Sequence, residues 1–370
     1  MATTDPFAFA DEFGPGKVVH IWQPNSGLKA IVVIDNVAAG PSIGGIRMAR
    51  DVSAEECFRL ARAMTFKNIT AGLAHGGGKS VIFADPRQPA ADKQRLIRAF
   101  ARAIRHLNDY IPGPDMGTDE TCMAWLQDEI GRAVGLPAEI GGIPLDQIGA
   151  TGLGVAVASA VAADHIGLAL AGARVAIQGF GAVGMHAARF LTQRGAVLVA
   201  ASDSKGSIHD DRGLEVAALI ALKREGRSVV EHGAGRKGDL DAVIDIACDI
   251  WVPAARPDVL TRDNVGRLNA RMVVEGANIP VSEAAEADLH AKDVLVVPDF
   301  VANAGGVICA AVEYHGGSQS QALQAIADKI ETNCRAVLGL AKKDRIMPRQ
   351  AAQALATARL RRAMALRLAT

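Results

Sequence analysis

The chain has 370 residues, of which 49% are apolar, and its 40 basic residues balance 40 acidic residues. A neutral chain of this length predicts two domains with large cores. It argues against nucleic acid or an acidic membrane as partner, because both favour a basic excess. Five scattered cysteines without a CxxC pair predict buried thiols rather than a metal site or a disulfide framework. We expect a cytoplasmic protein, since we find neither a targeting leader nor an apolar run long enough to cross a bilayer.

The first part of the chain mixes strand and helix patterns. Residues 18–34 alternate in the manner of β-strands and predict two strands separated by a turn. Ser53, followed three residues later by Glu56, predicts a helix that begins with a reciprocal capping box. Residues 91–107 place their apolar side chains on one helical face, whereas the Gly- and Pro-rich residues 135–149 predict a linker. These patterns predict an N-terminal α/β domain.

Beyond Thr151, short β-branched strands alternate with small apolar helices. This alternation predicts a parallel sheet that is covered by helices on both faces. Within it, a strand at 174–178 leads into a Gly-rich turn, a helix over 185–194 and a second strand at 197–201. A βαβ unit of this size around a GxGxxG turn is typical of Rossmann domains, which bind dinucleotides.

Each glycine of this turn has a separate role in binding a dinucleotide. Gly179 permits the tight turn, Gly181 lets the backbone approach a pyrophosphate, and Gly184 lets the helix pack against the strand. The backbone N–H groups of Ala182 and Val183 follow at the start of the helix, where the positive end of the helix dipole favours phosphate. We therefore expect these five residues to bind the cofactor.

The choice between NAD and NADP depends on the residues after the second strand. Asp203 is placed to accept a hydrogen bond from a ribose 2′-hydroxyl, which favours NAD. Its neighbours Ser202, Ser204 and Lys205 are residue types that hold a 2′-phosphate instead. The sequence thus favours NAD and leaves NADP open.

Two lysines and an aspartate are the candidate catalytic side chains. The GGGKS stretch around Lys79 is not a P-loop, because that motif needs a glycine where this chain has Leu73. A lysine among glycines acts as a general base when burial and a second cation destabilise its charged form. We expect Lys79 to be this base. Lys67 supplies the second cation or binds a substrate carboxylate, and Asp115 shuttles a proton.

Eight sequence blocks resemble the glutamate/leucine/phenylalanine/valine dehydrogenase family over roughly residues 40–317. They occur in the family's order, with matching spacing, so a chance likeness is very improbable. In chain order they are GPSIGGIRM, FKN with Lys67, GGGKSVI with Lys79, GPDMGT with Asp115, ATGLGV with Thr151, QGFGAVG, EGANIP with Asn278, and PDFVANAGGVI with Asn303.

The resemblance implies reversible oxidative deamination of an L-amino acid to a 2-oxo acid and ammonia. It also implies an α/β fold, in which an N-terminal substrate and oligomerisation domain and a Rossmann-type domain enclose an active-site cleft. We place the first domain at residues 1–145, joined by C-terminal helices at 336–370, and the Rossmann domain at 146–335. Family members form symmetric oligomers, so we expect a homo-oligomer with small-molecule substrates.

The resemblance also assigns roles to individual residues. Lys67 binds the substrate α-carboxylate, Lys79 is the base that activates water, and Asp115 moves protons to and from the nitrogen. The remaining roles concern pocket and cofactor contacts: Gly44 and Gly45 line the carboxylate side of the pocket, Thr151 and Asn303 contact the nicotinamide end, and Asn278 lies at the cofactor ribose.

Two pocket positions bear on the choice of amino acid. Glutamate-specific members carry a lysine immediately before the Gly44–Gly45 pair, where this chain has Ile43. They also carry a serine where this chain has Ala310. A carboxylate buried without partners costs several kcal/mol, so we predict an apolar substrate of the leucine, valine or phenylalanine type. Glutamate dehydrogenase is the alternative, with Arg47 or a lysine from the C-terminal tail supplying the missing charge.

Two more distant interpretations require other residues. A hydroxy-acid or other carbonyl dehydrogenase would use a histidine as acid and base, and His75 stands beside the glycine run. A non-enzymatic protein that senses the cofactor would lack the lysine pair or the aspartate, yet all three are present.

Overall fold

A computed structural model describes Asp5 and residues 7–367. The chain packs into two compact units. The first unit comprises the chain up to Pro144, Val307–Ala322 and the chain from Ala356, and the second comprises Leu145–Gly306 and Leu323–Leu355.

The C-terminal tail differs from the prediction that joined residues 336–370 to the first domain. Residues 336–355 pack in the second unit. There, Arg349 binds buried carboxylates of the second unit. Farther along the tail, Arg359 donates to the backbone carbonyls of Ile69 and Thr70 in the first unit. The predicted domain limits otherwise stay a prediction.

The first unit is built on a mixed sheet with helices on both faces. Among the described residues its strands are β1 (Lys17–Gln23), β2 (Leu28–Asn36), β3 (Ser42–Ala49), β4 (Gly76–Phe83) and β5 (Tyr110–Pro114), and its first helices are α1 (Ala54–Thr70), α2 (Ala90–Ala103) and α3 (Glu120–Ile130). The sheet order is β1-β2-β4-β3-β5. β2 pairs antiparallel with β1 and β4, whereas β3 pairs parallel with β4 and β5.

Local sequence signals account for the first elements of this unit. The two predicted strands are confirmed as β1 and β2, and they pair antiparallel as a hairpin. The Ser53 side chain caps α1 by accepting a hydrogen bond from the Glu56 backbone N–H. The reciprocal half of the capping box is replaced, because the Glu56 carboxylate accepts a hydrogen bond from Arg47 at 2.5 Å instead.

The two faces of this sheet pack against different helices. Helix α1 packs its Cys57 against Val33 and Val81 on one face, while the other face carries the core around α2 and α3. Lys79 pairs directly with Val33 and therefore points to the α1 face. Because side chains alternate along β3 and Ile46 lies in the opposite core, Gly45 shares the face of Lys79.

The second unit is a doubly wound α/β sheet, as predicted. Its strand order among the described residues is β12-β11-β10-β6-β7-β8-β9, parallel from β12 to β7 and antiparallel from β7 to β9. From residue 145 onward the helices are α4 (Leu145–Ile148), α5 (Ala150–His165), α6 (Ala182–Thr192), α7 (Val216–Arg224), α8 (Glu283–His290), α9 (Asp299–Ala302), α10 (Gly305–Tyr314), α11 (Gln319–Asp344) and α12 (Pro348–Leu366). The strands are β6 (Arg174–Gln178), β7 (Val197–Asp203), β8 (Gly206–His209), β9 (Arg236–Gly238), β10 (Ile250–Pro253), β11 (Met272–Val274) and β12 (Leu295–Val297). Single 3₁₀ turns lie at Ala138–Ile140, Val229–Glu231, Leu240–Ile244 and Val265–Arg267.

The segment expected to be a linker is held in place, because the backbone N–H groups of Gly135, Leu136 and Ile143 all donate to the buried carboxylate of Glu313.

Within the described chain one helical stretch, Leu145–His165, is long and apolar enough to cross a membrane. Most of this stretch is buried inside the protein, as is usual for a core helix. All five cysteines are buried free thiols, as predicted.

Candidate active site

The Gly-rich turn has the shape that a pyrophosphate requires. Gly179 adopts φ +95°, and a side chain there would collide with Ala255. A side chain at Gly184 would overlap the carbonyl oxygen of Gly179, so only glycine lets α6 pack this closely against β6. At Gly181, apart from the adjoining residues of the chain, no described atom lies within 4 Å of the place where a Cβ would stand. The turn therefore leaves open space directly over the start of α6, where Ala182 and Val183 present their N–H groups.

A second group of predicted cofactor residues comes together in the same unit. The Asn303 side-chain amide donates to the Ala277 carbonyl oxygen at 3.1 Å and to the Asn278 side-chain oxygen at 3.0 Å. These bonds fix the orientation of the amide and leave Asn303 Oδ1 buried without a partner among the described residues. Thr151 Oγ1 lies close to Gly306, three residues after Asn303. A buried acceptor of this kind fits a ligand that brings its own N–H donor, such as the carboxamide of nicotinamide.

The predicted ribose contact of Asp203 is not supported by its geometry. Asp203 Oδ1 accepts hydrogen bonds from Lys205 N and Ser228 Oγ, and Oδ2 accepts from Lys223 Nζ at 2.7 Å and Val229 N. Burial alone would raise the pKa of this carboxyl, but Lys223 and the other donors hold it below its ordinary value. A carboxylate has about four acceptor positions, and all four are used within the protein. Asp203 thus anchors residues 223–229 and has none left for a ribose hydroxyl.

The structure brings Lys79 and Asp115 together, 36 residues apart in the sequence. Lys79 is only 6% exposed, and its ammonium contacts Asp115 Oδ2 directly. Arg47 Nε lies 3.3 Å from the same oxygen, and Met116 N donates to Asp115 Oδ1. Burial tends to raise the pKa of Asp115, but the charges of Lys79 and Arg47 outweigh it and hold the pKa below its ordinary value. The contact therefore joins a buried lysine in the middle of β4 to a part-buried carboxylate just after β5, across the intervening strand β3.

The two glycines of the GPSIGGIRM block differ in their surroundings. A Cβ at Gly45 would stand 2.7 Å from Asp115 Cβ and 3.3 Å from Lys79 Nζ, so Gly45 borders the catalytic pair. A Cβ at Gly44 would overlap the Gly78 carbonyl oxygen. The absent side chain of Gly44 thus serves the close packing of β3 and β4 rather than opening space beside the pair.

The remaining predicted substrate residues also lie in the first unit. Lys67 is half-buried in the last turn of α1, and Ala310 is buried in α10. Ile43 is 3% exposed and lies two residues before Gly45 on β3, hence on the same face of the sheet as Gly45 and Lys79.

One residue of the site was left undecided by the sequence. Arg47 donates to Glu56 from Nη1 and approaches Asp115 with Nε, so its guanidinium is shared between two carboxylates. The sequence did contain a signal for the role of Arg47, because side chains alternate along β3 and Arg47 lies on the same face as Gly45. The partner Glu56, in contrast, had been expected to cap its own helix.

Known proteins resemble the chain in both units. Residues 141–367 match the family described as Glutamate/Leucine/Phenylalanine/Valine dehydrogenase, and residues 16–132 match the Glu/Leu/Phe/Val dehydrogenase dimerisation domain. The chain belongs to this family. It is a nicotinamide-dependent amino-acid dehydrogenase that acts on the CH–NH₂ group, as the resemblance implied. The match to the dimerisation domain supports the predicted self-association of the dehydrogenase.

Individual relatives cover three quarters or more of the dehydrogenase. The glutamate dehydrogenase of Aeropyrum pernix is 37% identical over 356 residues, which cover 90% of this chain and 85% of that protein. The NADP(+)-dependent glutamate dehydrogenase of Pyrobaculum calidifontis is 39% identical over 297 residues, covering 75% and 70%.

Two solved structures share the fold of the dehydrogenase. The hetero-hexameric glutamate dehydrogenase of Thermus thermophilus, in its Leu-bound form, has a TM-score of 0.83 at 29% identity and covers 96% of this chain and 91% of that one. The L-tryptophan dehydrogenase of Nostoc punctiforme has a TM-score of 0.76 at 27% identity, covering 95% and 97%.

The histidine expected by the hydroxy-acid alternative is already engaged in the dehydrogenase. His75 Nδ1 lies 3.0 Å from the Pro41 carbonyl oxygen, and Nε2 lies 3.1 Å from Nε2 of His315. Burial lowers the pKa of His75 below its ordinary value. Both ring nitrogens thus have protein partners, which leaves neither to exchange a proton with a substrate.

Proposed function

We propose that this dehydrogenase oxidises apolar L-amino acids, branched aliphatic or aromatic, in preference to glutamate. The observation that carries the proposal is Ile43, buried on the face of β3 that also bears Gly45 and lies beside Lys79. The burial of α5 inside the protein supports a cytoplasmic enzyme.

Ile43 stands where glutamate-specific members of the family carry a lysine for the substrate γ-carboxylate. An isoleucine side chain offers no charge and no hydrogen bond to that group. Bringing the γ-carboxylate into a buried site without a partner costs at least about 3 kcal/mol, which corresponds to more than about 100-fold in affinity. The same apolar surface favours a leucine, valine or phenylalanine side chain.

Neither Arg47 nor Ala310 supplies the missing charge. Arg47 is shared between Glu56 and Asp115, and withdrawing it would leave Asp115 with one cation fewer. Ala310, where glutamate-specific members have a serine, is buried and adds no hydroxyl. Both observations support an apolar pocket.

The contact between Lys79 and Asp115 supports the roles implied by the family. A bound nicotinamide cofactor would supply the acceptor for the hydride that leaves the substrate α-carbon. Lys67 binds the α-carboxylate, and Lys79 activates the water that attacks the imino acid. Asp115, in contact with Lys79, moves protons to and from the departing nitrogen.

For the cofactor, the geometry supports use of both NAD and NADP. Asp203 is paired with Lys223 and has no acceptor position left over, so it neither grips a 2′-hydroxyl nor strongly repels a 2′-phosphate. Ser204 and Lys205 are exposed at the end of β7, where a 2′-phosphate would lie. The enzyme then uses NADP as well as NAD, the cofactor that the sequence favours.

Glutamate dehydrogenase is the second candidate, because the relatives from Aeropyrum pernix, Thermotoga maritima and Pyrobaculum calidifontis are named glutamate dehydrogenases. Specificity constants of the purified enzyme for leucine, valine, phenylalanine and glutamate, each with NAD and NADP, separate the two. We expect the best apolar substrate to exceed glutamate by at least about 100-fold. A specificity constant for glutamate equal to or above that of the best apolar substrate refutes the proposal.

Two variants test whether Ile43 is the cause of the preference. Ile43→Lys should raise the ratio of glutamate to leucine turnover, because it restores a cation for the γ-carboxylate. Ile43→Leu keeps the volume and apolar character and should leave that ratio unchanged. Ala310→Ser, which adds a hydroxyl without a buried charge, should move the ratio in the same direction as Ile43→Lys but less.

A further inference from the structure

The second unit contains a buried cluster of charges that the catalytic scheme does not use. Arg349, the second residue of α12, donates to three carboxylates at once. Its Nε lies 2.7 Å from Glu286, its Nη1 3.0 Å from Asp299 and its Nη2 2.8 Å from Glu275. All three acids are nearly or completely buried. The guanidinium is therefore the shared cation of three carboxylates, which would otherwise repel one another.

The cluster lies at the carboxyl ends of two neighbouring parallel strands. Glu275 directly follows β11, and Asp299 follows β12 after one proline. In doubly wound sheets, ligands bind outside the carboxyl ends of the strands. The cluster thus occupies the end of the sheet at which Asn278 and Asn303 also lie.

Hydrogen bonds connect the cluster to the two asparagines. Asp299 binds Arg349 with Oδ1, while its Oδ2 accepts the backbone N–H of Ile279 at 2.9 Å. Ile279 immediately follows Asn278. Asp299 also begins α9, and its carbonyl oxygen accepts the N–H of Asn303 at 2.7 Å. Asp299 therefore connects Arg349 to the backbone next to Asn278 through its carboxylate, and to the backbone of Asn303 through its carbonyl oxygen.

The segment that Asp299 holds is under backbone strain. Ile279 is 57% exposed and has φ +47°, a left-handed conformation that is unfavourable for a β-branched residue. Such a conformation persists only when the surroundings enforce it. The Asp299 bond to Ile279 N and the bond from Asp258 N to Ile279 O provide that restraint.

The charge of the cluster makes the restraint depend on Arg349. Three carboxylates face one guanidinium, and burial raises the pKa of Glu275 well above its ordinary value. Glu275 Oε2 accepts from both Arg349 and the Asp299 backbone N–H, which locks the ends of β11 and β12 together. Without the guanidinium, Asp299 would lose the one cation that pairs with it among the described residues, while Glu275 and Glu286 stayed buried beside it.

We propose that Arg349 is a positioning residue for cofactor binding, which acts through Asp299 on the segment 276–279 and on Asn303. The proposal rests on the proposed dehydrogenase function, with the cofactor contacts that the family resemblance implies for Asn278 and Asn303. It gives the C-terminal helix α12 a part in the dinucleotide site, to which no side chain of that helix had been assigned.

Binding of NADH in the absence of any amino acid tests this role in the full-length enzyme. Dissociation constants are measured by nicotinamide fluorescence titration, at a temperature where circular dichroism shows each variant fully folded. Arg349→Met should weaken NADH binding by about tenfold or more. Arg349→Lys should recover part of the loss, because an ammonium retains the charge but lacks the planar fork that reaches three acids. The matched control is Arg335→Met, an exposed arginine on α11 that pairs with Asp164 and Glu331, and it should bind NADH as the wild type does.

The outcomes separate positioning from simple stabilisation. If Arg349→Met melts at a lower temperature but its folded form binds NADH within twofold of wild type, the proposal is wrong. If Arg349→Met does not fold, NADH binding by the Asp299→Asn variant tests the proposal instead. Its single remaining oxygen cannot serve both Arg349 and Ile279, so binding should weaken at least about threefold, and unchanged binding overturns the proposal. A wild-type preference for glutamate would refute the proposed substrate without affecting this measurement.

Discussion

Replacing Gly181 by alanine should separate cofactor binding from folding. Apart from the adjoining residues of the chain, no described atom lies within 4 Å of the position that the new methyl group would take. Gly181 has φ −89° and ψ −159°, which alanine adopts without strain. The methyl group therefore meets only the space that the turn keeps open for a pyrophosphate.

The expected magnitudes follow from this geometry. In the free protein, alanine lowers the entropy of the unfolded chain, a gain of about 0.4–1 kcal/mol. Glycine is, however, the better residue at a helix N-cap, and this opposes the gain by a similar amount. The free energy of unfolding should change by less than about 0.5 kcal/mol. In the complex, the methyl group displaces the pyrophosphate from the N–H groups that follow. Loss of one hydrogen bond to a charged group costs about 1.5–3 kcal/mol, or roughly 10- to 100-fold in the dissociation constant of NADH.

Two further glycines serve as controls in the same assays, urea unfolding and NADH fluorescence titration. Gly184→Ala should lower the free energy of unfolding by about 1–3 kcal/mol, because its methyl group overlaps the Gly179 carbonyl oxygen. Gly339→Ala, in open space on α11, should stabilise the protein slightly and leave NADH binding unchanged. If Gly181→Ala binds NADH as tightly as wild type, the turn does not hold the pyrophosphate and the assignment fails.

Three other substitutions have defined outcomes. Lys79→Ala should abolish turnover while NADH binding stays within about twofold of wild type; normal turnover would remove Lys79 from the mechanism. The lowered pKa of Asp115 means that its ionised form stabilises the fold above the ordinary value of 3.8, and that this contribution disappears as the pH falls through the lower folded-state value. In urea unfolding between pH 7 and 3, the stability difference between wild type and Asp115→Asn should therefore shrink below about pH 4, and a difference independent of pH would contradict the pairing with Lys79. Glu313→Gln sets an amide donor against backbone donors such as Ile143 N and should lower the free energy of unfolding by about 1–3 kcal/mol in the same assay; an unchanged urea midpoint would show that these hydrogen bonds contribute little.

Much of the fold could be predicted from the sequence because its signals are local. The hairpin of β1 and β2, the Ser53 cap and the strand over Arg174–Gln178 each depend on neighbours within a few residues. The conformations of Gly179 and Gly184 were also readable, since the GxGxxG spacing reflects sterics inside one βαβ unit. The family blocks extended this local information to the catalytic candidates.

Only the tertiary structure decided how charged side chains pair, because their partners lie far apart along the chain and carry no periodic signal. Asp203 stood where a ribose acceptor is expected, yet Lys223, 20 residues later, is one of four donors that fill its acceptor positions. Glu56 had the spacing of a capping box, but folding brought Arg47 within reach, and a charged partner binds a carboxylate more strongly than a backbone N–H does. Arg349 meets acids 50 to 74 residues away, whose approach is set by the order of the strands in the sheet. Sequence patterns thus determined the elements and the cofactor turn, whereas the packing of distant elements determined which charges are free to meet a ligand.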